Sequence, residues 1–271
     1  MSEPCRLIAE IGANHLGDLN IARAMVDAAM AAGCETVKFQ SWRPEKLTRA
    51  FPDYEAAFSR HAKTVLSDEG HVEILEHCRA RGIRFLTSCF DVDRIDFLKS
   101  LGLEEVKVAS PDCASTRMLE RLKAQFPHLI VSTGMTQERD VLRAIEATRG
   151  HDVVFLHCVS LYPTPPARVN LKRMRWLKDQ GVRVGFSDHT MGVSAAMLAV
   201  AQGAEIVEKH FTLSRQLPGK DQTVSGEPAE FRAIADWIAD VGVMTGESRP
   251  QLSPEELRLK DIYVGKWGNN A

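Results

Sequence analysis

The 271-residue chain has no excess of positive charge: 34 Lys and Arg stand against 36 Asp and Glu, and the basic residues are dispersed. Without a basic face to displace counterions, nucleic acid is not an expected partner. No apolar run approaches the roughly 20 residues needed to cross a bilayer. The N-terminal MSEPCRLIAE also lacks the basic-then-apolar order of a secretory leader. These absences predict a cytoplasmic protein with no membrane partner. The six cysteines, Cys5, Cys34, Cys78, Cys89, Cys113 and Cys158, show no C-x-x-C spacing, so reduced, buried thiols are expected. There is no low-complexity tract and no repeat beyond a strand-helix unit.

What is present suits a large soluble core, with 44% hydrophobic and 26% charged residues. Apolar, β-rich runs recur at 6–11, 35–40, 83–88, 105–110, 128–133, 153–158, 182–187 and 205–210. Amphipathic stretches follow each of them, at 19–32, 69–81, 93–101, 114–125, 136–148, 169–180, 191–202 and 227–242. Asp18, Ser67 and Thr136 stand where helix N-caps are needed, and Gly33, Gly82, Gly102, Gly181 and Gly203 stand where helices end. Eight strict β-then-α units predict a parallel sheet closed as an α/β (β/α)8 TIM barrel, with an open doubly wound sheet as the alternative. The barrel is expected over residues 1–246. Residues 247–271 would then be a linker and tail, with a short helix in SPEELRL.

The segment LIAEIGANHLG, residues 7–17, reads as a buried strand yet carries Glu10 in its middle. A buried carboxylate needs a partner, so Glu10 is expected to face a polar lumen containing Lys38 and Lys107, which would offset its desolvation. The other strand ends are also polar: Gln40, Thr87 and Ser88, Ser110 and Asp112, Ser132 and Thr133, His157, Ser187 through His189, and Glu208 through His210. In a barrel of this kind the chemistry sits at these C-terminal ends. His157 and His189, on neighbouring strands, are the expected ligands of one divalent metal. Lys38, Lys107, Ser132 and Thr133 would bind a phosphorylated, carboxylated small molecule, with Asp188 and Lys209 as further substrate-binding candidates.

In their order, IAEIGANHLGD, VKFQ, TSCFD, KVAS, VSTGM, LHCVSLYPTP, GFSDHT and EKHFT resemble the sialic acid synthase (N-acetylneuraminate synthase) family over residues 6–232. The resemblance implies a metal-dependent barrel that condenses phosphoenolpyruvate with an open-chain sugar aldehyde, releasing phosphate and a nonulosonic acid. It implies His157 and His189 as ligands of Mn2+, with Co2+, Mg2+ or Zn2+ as alternatives. It also implies Lys38, Lys107, Ser110 and Thr133 around phosphoenolpyruvate, and Glu10 with Gln40 near the acceptor and water. KVASPD places Asp112 where the family usually has a glutamate, so its acid-base role is weakened by one methylene; PGKD adds Lys220 at the mouth. The family's usual antifreeze-like C-terminal domain is not expected here. The mouth would then be covered by the tail, by a homo-oligomeric neighbour or by a separate subunit. A metal-dependent 2-keto-acid aldolase and a non-catalytic sugar-acid-binding subunit are the competing functions.

Overall fold

A computed structural model of the protein describes residues 4–246 and 251–268. Residues 247–250, at the expected barrel-tail junction, and 269–271 at the end of the tail lie outside the described residues. The strands are β1 (Arg6–Glu10), β2 (Thr36–Ser41), β3 (Arg84–Cys89), β4 (Glu105–Val108), β5 (His128–Ser132), β6 (Asp152–Cys158), β7 (Arg183–Asp188) and β8 (Ile206–His210). They pair in parallel, each with the next and β8 with β1, into a closed barrel. The helices are α1 (Leu19–Ala31), α2 (Tyr54–Thr64), α3 (Asp68–Arg81), α4 (Ile95–Ser100), α5 (Thr116–Lys123), α6 (Glu138–Ala147), α7 (Lys172–Asp179), α8 (Ser194–Ala201), α9 (Pro228–Met244) and α10 (Pro254–Tyr263). The barrel is therefore closed, and the open-sheet alternative is set aside.

Local signals explain most boundaries. The Asp18 carboxylate accepts from the Asn20 and Ile21 N–H groups at the start of α1, and Ser67 accepts from Gly70 N–H at the start of α3. At the end of α3, Gly82 takes φ +74°, the left-handed conformation that a side chain resists. Thr136 does not cap α6. The cap is Gln137, whose N–H donates to the Asp140 carboxylate at 3.1 Å, while the Thr136 hydroxyl donates to Thr133 O. The helix α2 has no counterpart among the sequence expectations. It buries only Ala57, so it carries no apolar period to read. The short helix expected in the tail is present as α10 and buries none of its residues.

Alternation along each strand divides the core in two. Leu7, Ala9, Val37, Phe39, Phe85, Val131, Phe155, Phe186 and Val207 face outward into the helix layer. Ile8, Leu86, Ile130, Val154, Leu156 and Ile206 fill the lumen. The N-terminal ends of the strands are tied by ion pairs, Arg6 with Glu105 at 2.9 Å and Arg183 with Asp152 and Glu205 at 2.6 and 2.7 Å. The lumen's apolar plug thus separates a salt-bridged floor from the C-terminal mouth.

Two histidines of the outer layer are buried as neutral rings. His15 Nδ1 accepts from Gly17 N–H at 3.1 Å, and His71 Nδ1 lies 2.8 Å from Ser67 O, with Phe85 and Phe97 edge-on to its ring. Burial lowers both to about 4, against the pull of Asp18 on His15 and of the Ser67 carbonyl on His71, where the Arg94 charge adds to the lowering. The unfolded chain, with histidines near 6.5, therefore binds more protons below that pH, and stability falls as pH drops from 6.5 toward 4. Each ring contributes on the order of 2–3 kcal/mol to that loss. Urea unfolding at pH 7.0, 6.0 and 5.0 should show the decline, and His71→Phe should flatten its slope; an unchanged slope would assign the decline to other groups.

Candidate active site

The C-terminal mouth holds a cavity of about 300 Å³ whose polar lining includes Glu10, Lys38, Lys107, Glu208, His189 and His210. At its base two lysines and two glutamates form one buried charge network. Lys38 Nζ lies 2.7 Å from Glu10 Oε2 and 3.7 Å from Glu208 Oε2, and it donates to Ser88 Oγ at 2.9 Å. Lys107 Nζ donates to Glu208 Oε1 at 2.8 Å, where Ser187 Oγ also donates at 3.2 Å. Gln40 Nε2 donates to Glu10 Oε1. Glu10 is thus partnered by Lys38 as expected, whereas Lys107 pairs with Glu208 instead.

The two carboxyls of this network differ in environment. Burial raises the pKa of Glu10, and the Glu208 charge adds to this rise while Lys38 opposes it. Burial also acts upward on Glu208, but Lys107 and Lys38 together outweigh it and hold its pKa well below the usual range. Lys38 stays charged, because Glu10 and Glu208 outweigh its desolvation. Two cations beside one firmly ionised carboxylate and one carboxyl that burial shifts upward give a pocket base suited to a small anion.

Above this network stand two imidazoles. The β7–β8 ladder pairs Asp188 with Lys209, so the next residues, His189 and His210, fall side by side; their ring centroids lie 5.5 Å apart. His189 Nδ1 lies 2.9 Å from Val159 O, which leaves Nε2 as its free lone pair, and His210 Nδ1 is buried with no partner. The Tyr162 ring lies tilted over the His189 ring, their centroids 4.1 Å apart. Ser132 Oγ is buried without a partner on the cavity wall, and Ser110 Oγ accepts from Gly134 N–H at 3.1 Å. Asp221 and Lys220 line the rim.

Five sequence candidates stay outside this cavity, four of them for one reason. Where Val154, Leu156 and Cys158 of β6 face the lumen, the alternate residues Val153, Phe155 and His157 face the helices. His157 Nε2 accordingly lies 2.7 Å from Val169 O, and its ring packs near Phe186 on the outer side. Thr133, one residue past the lumen-facing Ser132, donates to Leu156 O at 3.1 Å. Asp188 and Lys209 pair with each other at 2.9 Å, also on the outer side. Asp112 sits in a turn after β4, half-buried beside the lining residues Ala109, Ser110 and Pro111 rather than among them. Glu10, Lys38, Gln40, Lys107, Ser110, Ser132 and His189 do converge on the cavity.

Sequence reasoning named Glu208 and His210 among the polar strand ends without giving them a role, and passed over Tyr162. The signal for His210 was alternation itself, since Glu208 must face the lysines and His210 shares its face.

The NeuB family profile matches residues 25–250. The chain belongs to the NeuB family. It is 34% identical to an N,N'-diacetyllegionaminic acid synthase of Legionella pneumophila, over 96% of this chain and 79% of that protein. It is 33% identical to an N-acetylneuraminate-9-phosphate synthase of Drosophila melanogaster, over 90% of this chain and 70% of that protein. Among solved structures, an N-acetylneuraminic acid (sialic acid) synthetase from Leptospira borgpetersenii, in complex with citrate, superposes with a TM-score of 0.88 at 30% identity, covering 97% of this chain and 94% of that one. For this NeuB-family barrel, no helix among the described residues is long and apolar enough to cross a membrane.

The charge network makes a stability prediction. Lys38→Met would leave Glu10 and Glu208 buried with Lys107 alone to offset them, and should cost about 3–5 kcal/mol at neutral pH, the usual cost of breaking a buried pair. Adding Glu10→Gln should recover part of that loss in urea unfolding; a double variant no more stable than the single one would contradict the pairing.

Proposed function

We propose that the protein condenses phosphoenolpyruvate with an open-chain amino-sugar aldehyde, giving a 3-deoxy-2-ulosonic acid of the nonulosonic type and inorganic phosphate. The observation that carries this reading is the pair of buried lysines, Lys38 and Lys107, opening onto a mouth that also presents two adjacent imidazoles. The names of the relatives, synthases of sialic and legionaminic acids, favour this reading over an aldolase or a non-catalytic subunit.

The two imidazoles fit a divalent metal, because His189 offers Nε2 and His210 has a buried nitrogen with no partner. Among the described residues, no group of three or more His, Cys, Asp and Glu is arranged to hold a metal. His189 and His210 would therefore share the ion with water and substrate, and Mn2+ suits two nitrogen ligands with oxygen completing the shell; Co2+, Mg2+ and Zn2+ are the alternatives. Such an ion supplies Lewis-acid polarisation of the aldehyde carbonyl.

The chain's own residues supply the rest. Lys38 and Lys107 anchor the anionic groups of phosphoenolpyruvate in a partly dry site, where fixed charge counts most. Ser110, Ser132 and the serine hydroxyls already bonded to the charge network offer further polar contacts. C3 of phosphoenolpyruvate attacks the aldehyde carbon, water adds at C2, and phosphate leaves with cleavage of the C2–O bond. Glu10, whose affinity for a proton is raised by burial, stands with Gln40 to supply a proton to the aldehyde oxygen as it becomes the new hydroxyl.

The decisive assay is phosphate release from phosphoenolpyruvate, run across a panel of aldoses and amino sugars with added Mn2+. Aldehyde-dependent release supports the condensation, whereas aldehyde-dependent consumption of pyruvate without phosphoenolpyruvate would move the protein to the aldolases. Lys107→Met should weaken phosphoenolpyruvate binding by about 2 kcal/mol, roughly thirtyfold, in calorimetry. His189→Ala with His210→Ala should abolish Mn2+ binding, while His157→Ala should leave its stoichiometry at the wild-type value. The reverse pattern would return the ligand role to His157.

A further inference from the structure

We infer that the outward-facing ion pair of Asp188 and Lys209 is a positioning device for His189 and His210, setting the separation at which the two imidazoles meet a metal. The inference rests on the metal reading proposed above. Asp188 and Lys209 are register partners on β7 and β8, each one residue before its histidine. Their side chains leave the sheet on the side opposite the cavity, and both are buried, at 1% exposure each.

The contacts of the pair converge on the backbone that follows His189. Lys209 Nζ lies 2.9 Å from Asp188 Oδ2 and donates to Thr190 O at 2.5 Å, while Asp188 Oδ1 accepts from Thr190 N–H at 2.8 Å. The β7–β8 ladder ends at Asp188 and Lys209, so this side-chain staple continues the tether between the strands for two residues more. His189 lies within the stapled segment. On β8 the Lys209 stem passes Gly226, where an added Cβ would come 3.4 Å from Lys209 Cε and 2.9 Å from the Phe231 ring. Gly226 N–H in turn donates to His210 O at 2.7 Å. The lysine therefore bonds the backbone that follows His189 directly and packs beside the Gly226 segment that bonds the His210 backbone.

The surroundings make a purely stabilising role a poor account of the pair. Val184, Phe186, Val207 and Phe211 occupy the neighbouring outward positions on the same two strand ends. Two apolar residues would pack there without the desolvation cost of burying two charges, and such replacements are often neutral or stabilising. What apolar residues lack is directional bonding to the Thr190 peptide groups. Groups behind metal-ligating histidines commonly change metal affinity by 10–100-fold when removed.

The test uses the Asp188→Leu, Lys209→Met double variant, which removes both charges and keeps the bulk. Metal-free wild type, this variant and His189→Ala with His210→Ala are titrated with Mn2+, following the signal of free Mn2+ by electron paramagnetic resonance. Phosphoenolpyruvate affinity and Tm are measured on the same metal-free samples. The expected result is Mn2+ affinity at least tenfold weaker in the double variant, with phosphoenolpyruvate affinity within twofold of wild type and Tm close to it. Wild-type Mn2+ affinity in the double variant, with the histidine variant deficient, would overturn the positioning role alone. Equal losses of Mn2+ and phosphoenolpyruvate affinity would reduce the pair to general support of the barrel end. Mn2+ binding by the histidine variant as tight as by wild type would overturn the metal reading and the inference with it.

Discussion

A residue on a barrel strand has two places to go, the lumen or the helix layer, and neighbours along the strand cannot share one. In this protein that constraint decides the chemistry more than any single interaction does. It sends Glu10, Lys38, Lys107 and Glu208 inward, where they can neutralise one another only as a set. Glu208 is the hinge of the set, because it approaches both lysines and is the carboxylate that stays ionised. Glu10, at the edge of the network and beside Glu208, carries the cost of two like charges in a dry place and retains its proton more readily. A mouth built this way receives an anion without first having to strip water from bare cations.

The same constraint shows how far the sequence could be read. The number of units, the closure and most helix boundaries were legible, because each rests on local periodicity and capping chemistry that survive tertiary packing. The lumen face of β1 and β2 was legible as well, since a charge in an apolar strand leaves only one place to put it. On β6 the run VVFLHC is apolar on both faces until its last two residues, so nothing local says whether His157 or Cys158 points inward. The answer lies in the neighbours: Cys158 pairs in register with Ser187, which bonds Glu208. Had the lumen face been carried around the barrel from Glu208, His210 would have replaced His157, and Asp188 and Lys209 would have fallen outside. Asp112 is a different failure, because alternation lapses in the turn after β4 and no periodic rule places it.

Strand β8 concentrates the result. Three of its five residues, Glu208, Lys209 and His210, are ionisable and all are buried. Stability alone would select β-branched and aliphatic residues for a strand with no exposed face. A strand that departs so far from that rule, with both of its faces satisfied by specific partners, marks the place where the fold gives up packing for function. The inward pair meets the lysines and the second imidazole, and the outward lysine meets Asp188.

The site also depends on closure between the first and last strands of the barrel. Asn14, in the polar cluster that follows β1, donates to Phe211 O and to Ser225 Oγ, and Gln222 Nε2 donates back to Asn14 O at 2.9 Å. Phe211 N–H donates to Glu10 O at 2.8 Å. These bonds join residues about two hundred positions apart, so their chain entropy is large and they are expected to form late in folding. Glu10 and His210 are register partners across this seam. Before the seam closes, Glu10 has no Glu208 beside it and His210 has no place at the mouth. The cluster that follows the first strand's apolar run is therefore not itself the site but the clasp that brings the first and last strands' contributions to it together.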